Sequence, residues 1–309
     1  MSQSAPALRL GTRGSKLARW QADMVARALQ DGGTTCEIVP VKTTGDRILD
    51  RPLADAGGKG LFTKELEEAL LSGAIDLAVH SMKDVPTSLP KGLTIAAILP
   101  REDPSDVVIA KSVRTLSELP SGARVGTSSV RRQAQLLRLR PDLRCVLLRG
   151  NVDTRLAKLD AGEMDAIILA MAGLKRLGLA ARVTSVLPYE EWLPSLAQGA
   201  VGIEIRESDA RTASPVAKLD EVAASIALAC ERAFQAALDG SCRTPIAGLA
   251  QIDGRHLSFR GEVIAPDGTD FAATEFQIVL GADPRHDAVA AGRESGMALR
   301  PRASRWLMS

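Results

Sequence analysis

Ser81, Lys83 and Asp84 bring a hydroxyl, an ammonium and a carboxylate together in one short stretch, Val79-His80-Ser81-Met82-Lys83-Asp84-Val85-Pro86. The stretch leaves an apolar run, Ile75-Asp76-Leu77-Ala78-Val79, that reads as a buried strand, and Pro86 stops the strand pattern. Ligands of open α/β sheets bind beyond the C-terminal ends of such strands. Taken alone, Lys-Asp before a proline is also what an ordinary solvated turn contains. A second reactive group is Cys242, in Gly240-Ser241-Cys242-Arg243-Thr244-Pro245. Flanking Gly and Pro with Arg243 adjacent suit an exposed thiol of lowered pKa, fit for covalent attachment. Cys36, Cys145 and Cys230 lie in apolar strand or helix patterns and read as small core residues.

The cations define what these groups face. The chain has 29 Arg against 10 Lys, and residues 124–182 hold ten Arg and two Lys against five acids. Arg131 and Arg132 fall in the first turn of a helix that follows Gly126-Thr127-Ser128-Ser129. Cations there oppose the helix dipole at a cost of some tenths of a kcal/mol each. Arg149, Arg155, Lys175 and Arg176 also follow strand ends, where a ligand would lie. The inferred ligand is a multiply charged anion, a polycarboxylate or a phosphate. Asp84 would repel such a ligand. It is better suited to hydrogen-bonding a ligand N–H, stabilising a developing cation or shuttling a proton, with Lys83 favouring its ionised form.

The elements needed to position these groups are strands and helices in alternation. Strand patterns cover Leu8–Gly11, Cys36–Val41, Ile75–Val79, Leu93–Leu99, Arg124–Gly126, Arg144–Leu148 and Ala166–Ala170. Helix patterns cover Lys16–Gln30, Leu61–Leu71, Val130–Leu139 and Val152–Ala161. This is the signature of βαβ units around mainly parallel sheets. Arg9-Leu10-Gly11-Thr12-Arg13-Gly14-Ser15 and Arg124-Val125-Gly126-Thr127-Ser128-Ser129 repeat one device, a short strand, a Gly-Thr turn and a Ser at a helix N-cap. Arg101-Glu102-Asp103-Pro104-Ser105-Asp106 reads as a crossover between the units, and Ala200–Ile205 as a strand returning to the first. Pro215–Leu238 has one long Ala-rich helix pattern, and Ile246–Ile252, His256–Ile264 and Phe271–Leu280 predict a small antiparallel sheet followed by a helix over His286–Leu299.

Composition narrows the class. With 309 residues, 45% hydrophobic, 25% charged and net charge +2, the chain reads as a soluble globular protein of two or three domains. Aromatic content of 3% leaves few stacking platforms, which disfavours nucleic acid. No stretch approaches the roughly 18 apolar residues of a membrane span. Residues 1–10 lack a signal-peptide pattern, so the expected location is cytoplasmic with reduced thiols. Four scattered Cys and three His give no metal-ligand spacing. There is no GxxxxGK loop followed by Ser or Thr, and Gly57-Gly58-Lys59-Gly60 lacks that spacing.

Several ordered motifs resemble the porphobilinogen deaminase (hydroxymethylbilane synthase) family. They are Gly57-Gly58-Lys59-Gly60-Leu61-Phe62, His80 through Pro86, Gly126-Thr127-Ser128-Ser129 with Arg131-Arg132, Leu148-Arg149-Gly150-Asn151-Val152 with Thr154-Arg155-Leu156, Ala172 through Gly178, and Gln198-Gly199-Ala200-Val201-Gly202. The resemblance implies an α/β fold. Two periplasmic-binding-protein-like (type II) α/β domains, 1–100 with 199–217 and 105–193, would be joined by a small C-terminal α+β domain over 220–309. It implies a transferase that condenses four porphobilinogen molecules head to tail, with release of ammonia, into hydroxymethylbilane, on the route to tetrapyrroles and heme. It implies a dipyrromethane cofactor, thioether-linked to Cys242, with Lys83, Thr127, Ser128, Ser129, Arg131, Arg132 and Gly199 around it. Asp84 takes the catalytic position. Arg13, Ser15, Gln21, Lys59, Phe62, Ser81, Arg149, Arg155, Arg176 and Gln198 take substrate-binding positions. The implied partners are porphobilinogen and, for product hand-over, uroporphyrinogen III synthase, with a monomeric chain and neither nucleic acid nor membrane. Asp55 stands where some members carry a Lys, and the cysteine loop reads Gly-Ser-Cys where Gly-Gly-Cys is frequent.

Overall fold

The structure is a computed structural model that describes residues 6–47, 60–239 and 244–307. In chain order the first elements are β1 (Leu8–Arg13), α1 (Lys16–Asp31), β2 (Cys36–Val41), α2 (Thr44–Arg47), α3 (Lys64–Leu71), β3 (Leu77–Ser81) and β4 (Leu93–Ile98). Then come β5 (Asp106–Ala110), β6 (Arg124–Thr127), α4 (Val130–Leu139), β7 (Arg144–Leu147), α5 (Val152–Asp160), β8 (Ala166–Ala170), α6 (Met171–Arg176) and β9 (Ser185–Val186). The last are β10 (Val201–Arg206), α7 (Ala210–Ala217), α8 (Val222–Ala237), β11 (Ile246–Asp253), β12 (His256–Ile264), β13 (Phe271–Val279) and α9 (Pro284–Ala303).

The chain divides into two compact units, and the described residues of the first are 6–47, 60–101 and 200–225. Its sheet runs β2-β1-β3-β10-β4, with β1 parallel to β2 and β3, and β10 antiparallel to β3 and β4. Alternation along the strands sends side chains to two helical layers. Leu8, Leu10, Leu77 and Val79 pack with Ala22, Val25 and Leu29 of α1 and Val216 of α7. Ala78 and Leu93 pack with Leu66 and Leu70 of α3. The buried positions of α1, Ala18, Gln21, Ala22, Val25 and Leu29, follow helical spacing. Ala200–Ile205 does return to this sheet, as β10.

The second unit, 102–199 with 226–307 among the described residues, holds the other two sheets. One runs β7-β6-β8-β5-β9 with β5 antiparallel to β8, repeating the strand order of the first unit. Its faces are covered by Leu136 of α4 on one side and by Leu156 and Leu159 of α5 and Leu174 of α6 on the other. The third sheet is the antiparallel meander β11-β12-β13, packed on α8 and α9. Phe234, Phe259 and Phe276 stack through its core with centroids 4.9 and 5.4 Å apart.

Three local expectations need correction. The segment read as a pure crossover contains the start of β5, whose first residue, Asp106, is buried. The helix expected from Leu61 begins at Lys64. The long Pro215–Leu238 pattern is two helices, because Glu221 caps α8 by accepting from the Ala223 and Ala224 N–H groups while Asp220 accepts from the Ile98 N–H at 2.7 Å.

Candidate active site

In the first unit, two strand ends and two helices meet around a recess of about 50 Å³ lined by Arg13, Ser15, Gln21, Phe62, Ser81 and Asp84, with His80 among its walls. Ser15 is the N-cap of α1 and its Oγ accepts from the Ala18 N–H at 3.3 Å. Beyond β3 the chain forms a tight 3-10 turn, Met82–Asp84. The Met82 N–H donates to the Ala200 carbonyl at 3.0 Å, and its buried side chain sits over Gly202, where a Cβ would come within 2.2 Å of the sulfur. This anchor fixes the turn, leaving Lys83 and Asp84 half-buried rather than fully solvated.

Arg13 connects the two strand ends. Its Nη1 lies 4.0 Å from Asp84 Oδ2, and its guanidinium stacks 4.0 Å from the centre of the Phe62 ring. Gln21 Nε2 donates to Ser81 Oγ at 3.4 Å. The recess thus offers a carboxylate beside a cation, with an aromatic wall and an amide. Below it lies a group that sequence patterns missed: His80 Nε2 is 2.9 Å from Oε2 of the fully buried Glu204.

The second unit builds a different site around buried Asp106. Arg131 Nη2 reaches its Oδ2 at 2.8 Å and Arg132 Nη2 its Oδ1 at 2.7 Å. Trp192 Nε1 and Gln198 Nε2 donate to the same carboxylate, each at 2.8 Å. Burial alone would raise the Asp106 pKa, but the charges of Arg131 and Arg132 and the bonds from Arg132 and Trp192 hold it far below the usual range. Arg131 Nη1 also donates to Gln135 Oε1 and the Leu193 carbonyl, and Arg132 Nη1 to the Ile168 carbonyl. The dipole penalty noted for these first-turn cations therefore meets an internal counter-charge. The balance is still cationic, two guanidinium groups on one carboxylate. Both Nε atoms are buried without a hydrogen-bond partner among the described residues.

Around this core the loop groups take defined places. Thr127 Oγ1 accepts from the Ser129 N–H at 3.1 Å, and Ser129 Oγ from the Arg132 N–H at 3.4 Å, capping α4. Ser128 is half-buried between them. Arg149 is buried at the end of the strand, and burial lowers its pKa. Arg155 Nε donates to the Gly150 carbonyl at 2.8 Å. Arg176 Nη2 donates to the Gly199 carbonyl at 2.6 Å; burial lowers its pKa, and nearby Glu102 opposes that. Gly199, at φ +86°, approaches the Glu102 carbonyl so closely that a Cβ would lie 2.2 Å from the oxygen. Lys59 and Cys242 lie outside the described residues.

Arg13, Ser15, Gln21, Phe62, Ser81 and Asp84 are thus brought together in one unit, and Thr127, Ser128, Ser129, Arg131, Arg132 and Gln198 around one network in the other. Asp106 and Glu204 went unseen in the sequence. Their only local signal is an acid inside or at the edge of an apolar strand, Asp106-Val107-Val108-Ile109 and Val201-Gly202-Ile203-Glu204-Ile205. No group of three or more His, Cys, Asp or Glu among the described residues is placed to hold a metal ion. No helix of the described residues is long and apolar enough to cross a membrane.

Both larger sheets share one strand order, and the third is a small antiparallel sheet. Among solved structures, the methionine binding protein MetQ aligns with 69% of this chain and 89% of its own at 15% identity, with a TM-score of 0.46. Residues 8–214 match the profile of the porphobilinogen deaminase, dipyromethane cofactor binding domain, and residues 225–300 that of the porphobilinogen deaminase C-terminal domain. The porphobilinogen deaminase of Nitrobacter winogradskyi is 52% identical over 298 residues, 95% of this chain and 93% of the relative. That of Paracoccus denitrificans is 50% identical over 300 residues, 96% of this chain and 94% of the relative. Matched from β1 to α9 at this identity, the chain belongs to the porphobilinogen deaminase family.

Proposed function

We propose that the protein is a transferase that joins four porphobilinogen molecules head to tail, releasing ammonia, to give hydroxymethylbilane for tetrapyrrole and heme synthesis. The observation that carries this reading is the match of residues 8–214 to the family's cofactor-binding domain. The pairing of Asp84 with Arg13 inside the recess supports it chemically. Each porphobilinogen carries two carboxylates and a pyrrole N–H. Arg13 suits the first and Asp84 the second, so one pair of side chains orients both ends of the ring.

The residues present fit a dipyrromethane. Two buried guanidinium groups with partnerless Nε atoms and a net positive balance suit carboxylate side chains. Arg131, Arg132, Ser129, Thr127, Ser128, Lys83 and Gly199 would hold it, and Cys242, outside the described residues, would carry the thioether. When bound, it supplies a covalently held pyrrole terminus from which the product grows.

The chain's own groups do the remaining work. Loss of ammonia from the aminomethyl arm leaves a cation delocalised over the pyrrole. Asp84, held in a partly dry recess, stabilises that charge more effectively than water would. Arg149, Arg155 and Arg176 receive acetate and propionate groups, and Gln21, Ser15, Ser81, Lys59, Phe62 and Gln198 orient rings. We further propose that the protein works as a cytoplasmic monomer and passes its product to uroporphyrinogen III synthase.

The test is turnover of porphobilinogen by the purified protein, following ammonia and hydroxymethylbilane together. Wild type should release one ammonia per ring joined. Asp84→Asn, with circular dichroism unchanged, should lose about 10²–10⁴-fold in turnover. Near-normal turnover by that variant would remove Asp84 from the chemistry.

A further inference from the structure

His80 lines the recess beside Asp84, yet the roles assigned above give it no work. It is one of three histidines in the chain and the only buried one, 4% exposed, where His256 and His286 are exposed. β10 runs antiparallel to β3 and brings Glu204, fully buried, to 2.9 Å from His80 Nε2. Glu67 of α3 is a second buried acid here, 8% exposed. Burial raises its pKa, the bond from Thr63 opposes this, the Glu204 charge adds to it and His80 counters it. Arg13 from β1 and Lys83 and Asp84 from the turn are the other charged groups nearby, and α1 contributes the uncharged Gln21. The acids and His80 form no metal cluster.

A carboxylate accepts only, so Glu204 holds the neutral imidazole with its proton on Nε2 and leaves the lone pair on Nδ1. An imidazole oriented by a buried carboxylate and facing a substrate recess has the form of a general base. We propose that His80, oriented by Glu204, is the base that takes up the proton released when two pyrroles are joined. The inference rests on the activity proposed above.

The proton balance shows why a second group is needed. The C–N bond of the aminomethyl arm breaks, and its electron pair leaves on nitrogen as ammonia. A π pair of a second pyrrole forms the new C–C bond to the freed methylene. The α C–H of that second ring then breaks, its pair restoring the aromatic ring and its proton passing to Nδ1 of His80. The imidazolium returns the proton to solvent or to the departing ammonia. Asp84, committed to the cationic pyrrole nitrogen, is a poor acceptor at the same moment.

The experiment compares wild type, His80→Gln and Glu204→Gln for kcat and KM, using porphobilinogen with hydrogen or deuterium at its free α carbon. His80→Gln should lose about 10²-fold in kcat with KM near wild type. A primary deuterium effect should emerge as proton removal becomes limiting. Glu204→Gln should also lower kcat with KM near wild type, because the imidazole loses the carboxylate that orients it. Independently of turnover, ¹⁵N NMR of the purified protein should place the neutral His80 proton on Nε2. If His80→Gln does not fold, Glu204→Gln and the NMR tautomer carry the test. An unchanged kcat in both variants, or a proton on Nδ1, overturns the inference. Wild type that makes no hydroxymethylbilane would instead overturn the activity on which it rests.

Discussion

At the scale of single residues, Asp106 shows how much of a candidate site is spent on holding itself together. Four donors converge on its carboxylate, two of them charged. Removing one partner of a buried ionic group costs about 3–5 kcal/mol, because the other charges stay buried without compensation. Asp106→Asn should therefore lower the free energy of unfolding by about that amount in urea titrations, and Arg132→Met in the same background should restore part of it. A loss below about 1 kcal/mol, the size of an exposed pair, would contradict the assignment. The sign with pH follows from the depressed carboxyl. Its stabilisation is present above the unfolded-state carboxylate pKa and is lost only as pH falls well below it. Asp84 drew notice from its place in a turn motif at a strand end, and Arg13 entered only through the family resemblance. Asp106 and Glu204 were not legible, since their partners Arg132 and His80 lie 26 and 124 residues away. A local pattern cannot reveal a partner that only the sheet brings near.

At the scale of elements, the capped strand-to-helix turn was readable twice, and Ser15 and Ser129 do cap α1 and α4. Periodicity found these helices because each buries one stripe against a sheet. It failed where tertiary contacts override it. α6 is six residues long, too short for a helical period to declare itself. The break between α7 and α8 exists because Asp220 turns away to bond the β4 backbone at Ile98. The connection at 197–199 is tightly constrained. Ala197 and Gly199 both adopt positive φ, 60° and 86°. The Ala197 N–H is taken up by buried Glu231, and the Gly199 carbonyl accepts from Arg176. Gly199→Ala adds a Cβ 2.2 Å from the Glu102 carbonyl in a conformation that favours glycine. Backbone must move to admit it, which should cost about 1–3 kcal/mol by denaturant titration. The same shift should weaken substrate binding, read as a raised KM, because Gln198 and Arg176 move with it. Unchanged stability would mean that the close approach relaxes without cost.

At the scale of the whole molecule, the arginine excess has two destinations. Arg140 grips Asp142 and the carbonyls of Leu116, Ser117 and Leu119, and Arg206 bridges Asp76 and Asp209, so both are structural. Composition could not separate these from the arginines proposed to bind ligand, because both uses ask for the same forked donor. The thiols divide more cleanly. Burial pushes Cys36 and Cys145 up to about 11 and raises Cys230 further, with the Glu231 charge adding to it. None of the three is a nucleophile at neutral pH in the folded chain. Their partly or fully buried positions agree with the proposal that Cys242 carries the covalent attachment. The prediction concerns the intact, denatured chain, where burial no longer protects any thiol. Of the four cysteines, wild type should offer only Cys36, Cys145 and Cys230 to iodoacetamide, and its mass should exceed the sequence value by two linked pyrrole units. Cys242→Ser should show the same three reactive thiols and no excess mass. A wild type with four reactive thiols and the bare sequence mass, yet full turnover, would mean that the product grows without a covalent anchor.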